Sequence, residues 1–225
     1  MARKGFQQQL NELRENVLYM SEIVLERMRM GIRALEAKDE TLARDVIEGD
    51  HEINELYLEL EQDCINLFAL QQPVASDLRF IAASFKIITD LERIGDLATN
   101  LGGYTLEAER DLYPDVDIQG IGDAVIEMVE DAMEAYAAED AEACYEIDAR
   151  DDGVDAMCER ASSSVVRDLI ETEVENSPDL SIEDLMSEVS RLLLTIRDLE
   201  RVGDHAVNIA ARTLYMIENS DELIY

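Results

Sequence analysis

Positions 90–100, D-L-E-R-I-G-D-L-A-T-N, return 108 positions later as D-L-E-R-V-G-D-H-A-V-N at 198–208, with eight identities in eleven. A chain carrying such a repeat is built from two copies of one unit, which for 225 residues means two units of about a hundred residues each. Little else matches at that offset. Divergence therefore spared a polar string of Asp, Glu, Arg, Gly and Asn, whereas packing by itself would have spared apolar residues.

The fold class follows from what is scarce. Three prolines, ten glycines and no tryptophan leave few strand or turn signals, and Ala, Leu, Glu, Asp and Arg favour helix. Apolar residues at Ile87, Leu91, Ile94, Ala98 and Leu101 mark one helix face, and Leu192, Leu199, Val202, Ala206 and Ile209 mark its counterpart. Two further periodic segments precede each, roughly 7–36 and 39–70 in the first half and 121–138 and 140–173 in the second, broken near Lys38-Asp39 and Glu139-Asp140. The expectation is all-α: two tandem three-helix bundles, the first over 1–111 and the second over 117–225. Their boundary is the proline- and glycine-bearing stretch 111–122. Pro73 and Pro178 suit the turns between the second and third helices of each half.

The formal charge of −33 excludes several functions. No basic patch exists to neutralise phosphates, so direct nucleic-acid binding is not expected. Three lysines stand against sixteen arginines, and the acids are scattered through every helix. That pattern resembles proteins of salt-in halophiles, where the Debye length is about 3 Å at molar salt. No apolar stretch has the length of a bilayer span, and we expect a soluble, cytoplasmic protein. Cys64, Cys144 and Cys158 form no Cys-x-x-Cys pair and read as small core residues.

Glu92 and Asp96 are four apart on one helix face, as are Glu200 and Asp204. A weaker match at an offset of 101 aligns 35–54 with 136–155 and places Asp50 and Asn54 against Asp151 and Asp155. In an antiparallel helix pair, residues equally far from the turn lie at one height. The midpoint between Asn54 and Glu92 is Pro73, and that between Asp155 and Glu200 falls beside Pro178. Two oxygen-lined sites follow: Asp50, Asn54, Glu92 and Asp96, then Asp151, Asp155, Glu200 and Asp204. Such ligands suit Mg²⁺, Ca²⁺, Mn²⁺ or iron. On spacing alone the pairs read equally well as a solvated acidic face; the duplication and both midpoints favour the sites.

Gly95 and Gly203, beside these pairs, carry the cost of glycine inside a helix, about 1 kcal/mol, and would let a neighbouring helix or a metal-bound group come close. Arg93 and Arg201 each follow an aspartate by three residues (Asp90, Asp198) and read as surface ion pairs. Asn100 and Asn208 lie one turn past Asp96 and Asp204, as supports of the ligands or as core-facing amides. Glu48-x-x-His51 has the spacing of a di-iron bundle, but that motif is needed twice and the second half has none. His51 thus reads as a surface residue beside the first site, and His205 as a neighbour of Asp204.

At the repeated strings, and at D-L-R-F-I (77–81), the chain resembles the PhoU family of phosphate-uptake regulators. The resemblance implies two three-helix bundles bearing multinuclear metal clusters, of iron or another divalent ion such as Mn or Mg. Their Glu/Asp-x-x-x-Asp motifs would be Glu92 with Asp96, Glu200 with Asp204, and Asp151 with Asp155; Asp50 departs from the pattern, because Asn54 follows it. It also implies a non-enzymatic negative regulator that restrains the phosphate-specific ABC transporter through its ATPase subunit, a sensor kinase as a further partner, and membrane association only through those partners. We further expect a homodimer. The rival class is a carboxylate-bridged metal-dependent enzyme, an oxidase or phosphohydrolase.

Overall fold

The computed structural model describes residues 2–70, 74–108, 116–174 and 182–224. The described residues form seven helices and no strand: α1 (Ala2–Ala37), α2 (Glu40–Glu48), α3 (Asp50–Leu70), α4 (Ala75–Glu107), α5 (Ile118–Ala138), α6 (Ala141–Val174) and α7 (Ile182–Glu218). The three-helix periodicity is borne out in both halves, with one difference. The second helix of the first half is broken at Gly49, where the Arg27 guanidinium from α1 lies over the break, pairs with Glu52 at 3.0 Å and reaches the Asp45 carbonyl at 3.5 Å. The equivalent helix of the second half, α6, runs unbroken. Pro73, Pro114 and Pro178 lie outside the described residues.

The offset of 101 reappears in the backbone. Lys38 and Glu139 both take left-handed φ, 52° and 56°, at the end of the first helix of each half. Each is followed by a capping aspartate: Asp39 accepts from the Thr41 and Leu42 amides, and Asp140 from those of Glu142 and Ala143. These side chains satisfy amides that an uncapped helix leaves unpaired. The second helix of each half thus starts at matching positions, and this sets the height of its acidic residues.

On α1, buried Leu10, Leu13, Val17, Met20, Val24, Met28 and Ile32 recur every three or four residues and form one stripe. On α4 all five expected face residues are fully buried; on α7 four of the five are, Leu192 being only half-buried. One apolar core runs through both halves. Helix α1 packs on α5 and α4 on α7, so the first and last helices of each half meet their repeat-equivalents, the arrangement of an internal pseudo-twofold.

The α4–α7 seam passes through the repeated string. Asp198 is fully buried there and accepts hydrogen bonds from Tyr104 at 2.8 Å, Asn100 at 3.1 Å and Arg197 at 3.2 Å. Its repeat-equivalent Asp90 meets His205 Nδ1 at 2.9 Å. Residue numbers run in opposite directions across these pairs, so the helices are antiparallel. Asp198→Ala is expected to cost about 2–4 kcal/mol in urea melts, because it strands donors from the other half. Asp198→Asn, which keeps an acceptor, should cost clearly less; an alanine variant as stable as the wild type would contradict the seam.

Candidate metal centre

The two expected clusters assemble from α3 with α4 and from α6 with α7. The glycines mark where the helices of each pair meet. A Cβ on Gly95 would stand 3.0 Å from Ile53 Cδ1, and one on Gly203 would stand 3.6 Å from Val154 Cγ1. Ile53 and Val154 are the same position at offset 101, so both halves seat the acid-bearing helix on a glycine in one register. On Gly203 the same Cβ would also stand 3.3 Å from Asp151 Oδ1.

In the second cluster the carboxylates act on one another strongly. Burial pushes the Asp151 carboxyl up to about 6, with Asp155 and Asp204 the next causes. Burial also raises Glu200, aided by Asp155 and Asp204, and raises Asp204, aided by Asp155 and opposed by His205 and Arg201. The buried Cys158 thiol is pushed up to about 12, first by burial and then by Glu200, Asp155, Asp151 and Asp204. It stays a thiol. All three cysteines are free and buried, as expected of core residues.

The first cluster is quieter. Burial, then Asp96, raises Glu92, with Arg93 opposing, and burial, then Asp50, raises Asp96. Asp50 is held by neutral donors, Asn54 Nδ2 at 2.7 Å and Thr99 Oγ1 at 3.2 Å. Position 207, the counterpart of Thr99, is Val, which can donate nothing.

All eight expected residues therefore fall into two groups of four. Their oxygens fit a hard divalent ion in chemistry, since each group concentrates like charge that a cation relieves. Among the described residues, however, no set of three or more His, Cys, Asp or Glu side chains is placed to hold one ion.

Other expected residues sit elsewhere. His51 is exposed, its Nδ1 3.2 Å from the Glu48 carbonyl of its own helix turn. His205, a sequence neighbour of Asp204, is buried and committed to Asp90. Arg201 stands 3.9 Å from Asp198 as expected, while Asp90 turns to the opposite half. Asn100 supports that half too, through Asp198 rather than the first cluster. Thr99 and Tyr104 escaped sequence reasoning altogether, as neither belongs to an acidic pattern.

The PhoU domain family matches the chain twice, over residues 17–105 and 118–213. The chain is 31% identical over 220 residues to the phosphate-specific transport system accessory protein PhoU homolog of Clostridium acetobutylicum, covering 96% of each. It is 30% identical to the phosphate-specific transport system accessory protein PhoU of Escherichia coli over 218 residues, covering 96% of this chain and 86% of that one. The crystal structure of PhoU from Pseudomonas aeruginosa superposes with a TM-score of 0.85 at 31% identity, covering 96% of this chain and all of the other. That of the phosphate transport system regulatory protein PhoU from Streptococcus pneumoniae also gives 0.85, at 26% identity. The two family matches coincide with the two halves that the repeated string defines, and the chain belongs to the PhoU family.

Proposed function

We propose that this chain is a negative regulator of phosphate uptake, a helical adaptor that acts on the phosphate-specific ABC transporter through its cytoplasmic ATPase subunit. The observation that carries the reading is the double family match, one over each half of the chain. The relatives are named accessory proteins of the phosphate-specific transport system. No helix among the described residues is long and apolar enough to cross a membrane, so the adaptor reaches the membrane through its partner. Where the host has a phosphate sensor kinase, that kinase is a second partner, and the working form is a homodimer.

In this reading Asp151, Asp155, Glu200 and Asp204 hold a divalent or multinuclear ion, with iron, Mn or Mg as candidates. Asp50, Asn54, Glu92 and Asp96 hold a weaker counterpart. The bound ion supplies positive charge that draws α3 to α4 and α6 to α7, shaping the face offered to the transporter. It needs no catalysis. The enzyme alternative lacks support because His51 points to its own helix and His205 is tied to Asp90.

The test is phosphate uptake by phosphate-replete cells of the native host. Deletion of the chain should release uptake from control, and a variant with Asp151, Asp155, Glu200 and Asp204 all changed to their amides should behave like the deletion. Identical uptake in wild-type, deleted and variant strains would remove the regulatory reading. Hydrolysis of a phosphate ester by the purified protein, lost with Glu200→Gln, would install the enzyme in its place.

A further inference from the structure

Arg79 has an unusual position for a cation in a chain with 19 basic and 52 acidic residues. Its guanidinium makes no hydrogen bond or ion pair among the described residues, and its buried Nε has no acceptor. A buried donor left unmatched costs about 1–3 kcal/mol, more when charged. In so acidic a protein a carboxylate partner would be easy to supply, yet the terminal nitrogens of Arg79, which unlike Nε are not buried, are left open to an acceptor from outside.

The surroundings say what that acceptor is. Arg79 lines a cavity of about 250 Å³ where the first turn of α4, the first half of α1 and the turn after α5 meet, together with Asn11, Arg14, Ser76, Asp77 and Glu139. Arg14 is immobilised there: its guanidinium lies 5.0 Å from the centre of the Phe80 ring, reaches the Ala137 carbonyl at 3.4 Å and pairs with Glu139. That pairing also commits the Glu139 carboxylate. Phe80 in turn stacks on buried Tyr136, whose hydroxyl lies 2.7 Å from Ser84 Oγ, so the floor of the cavity is rigid. Asn11 and Ser76 add neutral donors. Val74, at the start of α4, makes no side-chain cap, which leaves the first amides of that helix able to serve an anion as well.

Asp77 sets the selectivity. Asp77 lines the same cavity, and a carboxylate there would repel sulfate or chloride, which have no proton to share at neutral pH. Phosphate at that pH still carries at least one O–H, which can donate to the carboxylate while its charged oxygens take the guanidinium fork. We propose that this cavity is a binding site for inorganic phosphate, with Arg79 as its principal cation and Asp77 as the acceptor of the phosphate proton. The site shares no residue with the two carboxylate clusters, and it stands whether or not the chain acts on a transporter. Asp77 and Arg79 are the first and third residues of the string D-L-R-F-I.

Equilibrium dialysis of the full chain against radiolabelled inorganic phosphate in molar KCl tests the site, with a chelator in a parallel arm to separate phosphate held through a metal ion. Saturable binding at a Kd of about 1 mM or tighter, unaffected by chelator and not displaced by equimolar sulfate, is expected. Arg79→Gln should weaken it at least tenfold with an unchanged circular dichroism spectrum. Should that variant unfold, Arg79→Lys keeps the charge and loses the fork, and should weaken binding severalfold. Asp77→Asn should let sulfate compete. Absence of saturable binding, binding lost to chelator, binding retained by the folded Arg79 variants, or sulfate competing equally in the wild type would each overturn the proposal.

Discussion

Asp151→Asn is expected to stabilise the chelator-treated protein and to weaken its hold on divalent cations, two effects of opposite sign from one substitution. The Asp151 carboxyl is pushed up to about 6, by burial first and by Asp155 and Asp204 next. A folded-state pKa above the unfolded value means that the native form holds the proton more tightly. The resulting stability is full below the unfolded pKa of about 4, fades as pH rises through 6, and above that the ionised group opposes folding. The shift corresponds to about 3 kcal/mol at face value and about half of that after solvent screening of a partly exposed group. Thermal melts in chelator at pH 7.5 should therefore place Asp151→Asn about 4 °C above the wild type. At pH 4 the gap should close. A lower midpoint for the variant at pH 7.5 would contradict the electrostatic account.

With metal added the order should reverse, because the charge that burdens the metal-free fold is what a cation needs. The two clusters should respond unequally. Glu200→Gln with Asp204→Asn removes half of a four-carboxylate group, whereas Glu92→Gln with Asp96→Asn acts where Asn54 is neutral and already donates to Asp50. Elemental analysis of protein purified at high salt should show the larger loss at the second cluster. Equal losses, or none from either pair, would remove the metal assignment.

The thermal midpoint should also climb with potassium chloride, by about 10 °C or more between 0.1 and 2 M, equivalent to about 3–5 kcal/mol for a chain of this size. At a net charge of −33 the folded surface repels itself. Its ion pairs offset little of this: Arg44 with Glu40 is largely exposed on both sides, at 56% and 64%, and such pairs contribute under about 1 kcal/mol. Shortening the Debye length from about 10 Å to 3 Å removes most of the repulsion by 1 M. Screening saturates there, whereas any gain from salt-strengthened apolar burial keeps rising. A midpoint unchanged between dilute buffer and molar salt would sink the halophile reading.

Helix faces and cluster membership were legible in the sequence because both are local periodic properties repeated twice. Ile87 to Leu101 lie on one face whatever the helix packs against. The matching offsets of the acids, 101 for one helix and 108 for the other, are enough to gather eight residues into two groups of four. Pattern could not show which members of those groups are at peace. Asn54 next to Asp50 reads as a missing carboxylate, and packing turns it into the donor that, with Thr99, satisfies Asp50.

The repeated string itself belongs to two functions, and only one could be read. Its Glu and second Asp act on the acids of the other helix of their own half, Asp50 in the first and Asp155 in the second. Its first Asp faces the opposite half, where Asp198 takes Tyr104 and Asn100, and Asp90 takes His205. No spacing within one repeat encodes that seam, because it depends on how two finished bundles dock. The cavity around Arg79 shares that origin, because both halves line it. Sequence alone determined the duplication, the helical class and the acidic faces, since each follows from residues a few positions apart on one helix or from a turn that pairs two. Tertiary structure alone decided which charges are relieved and which are left without a partner, since partners on different helices meet only when the helices pack within each half and the two halves close on one core.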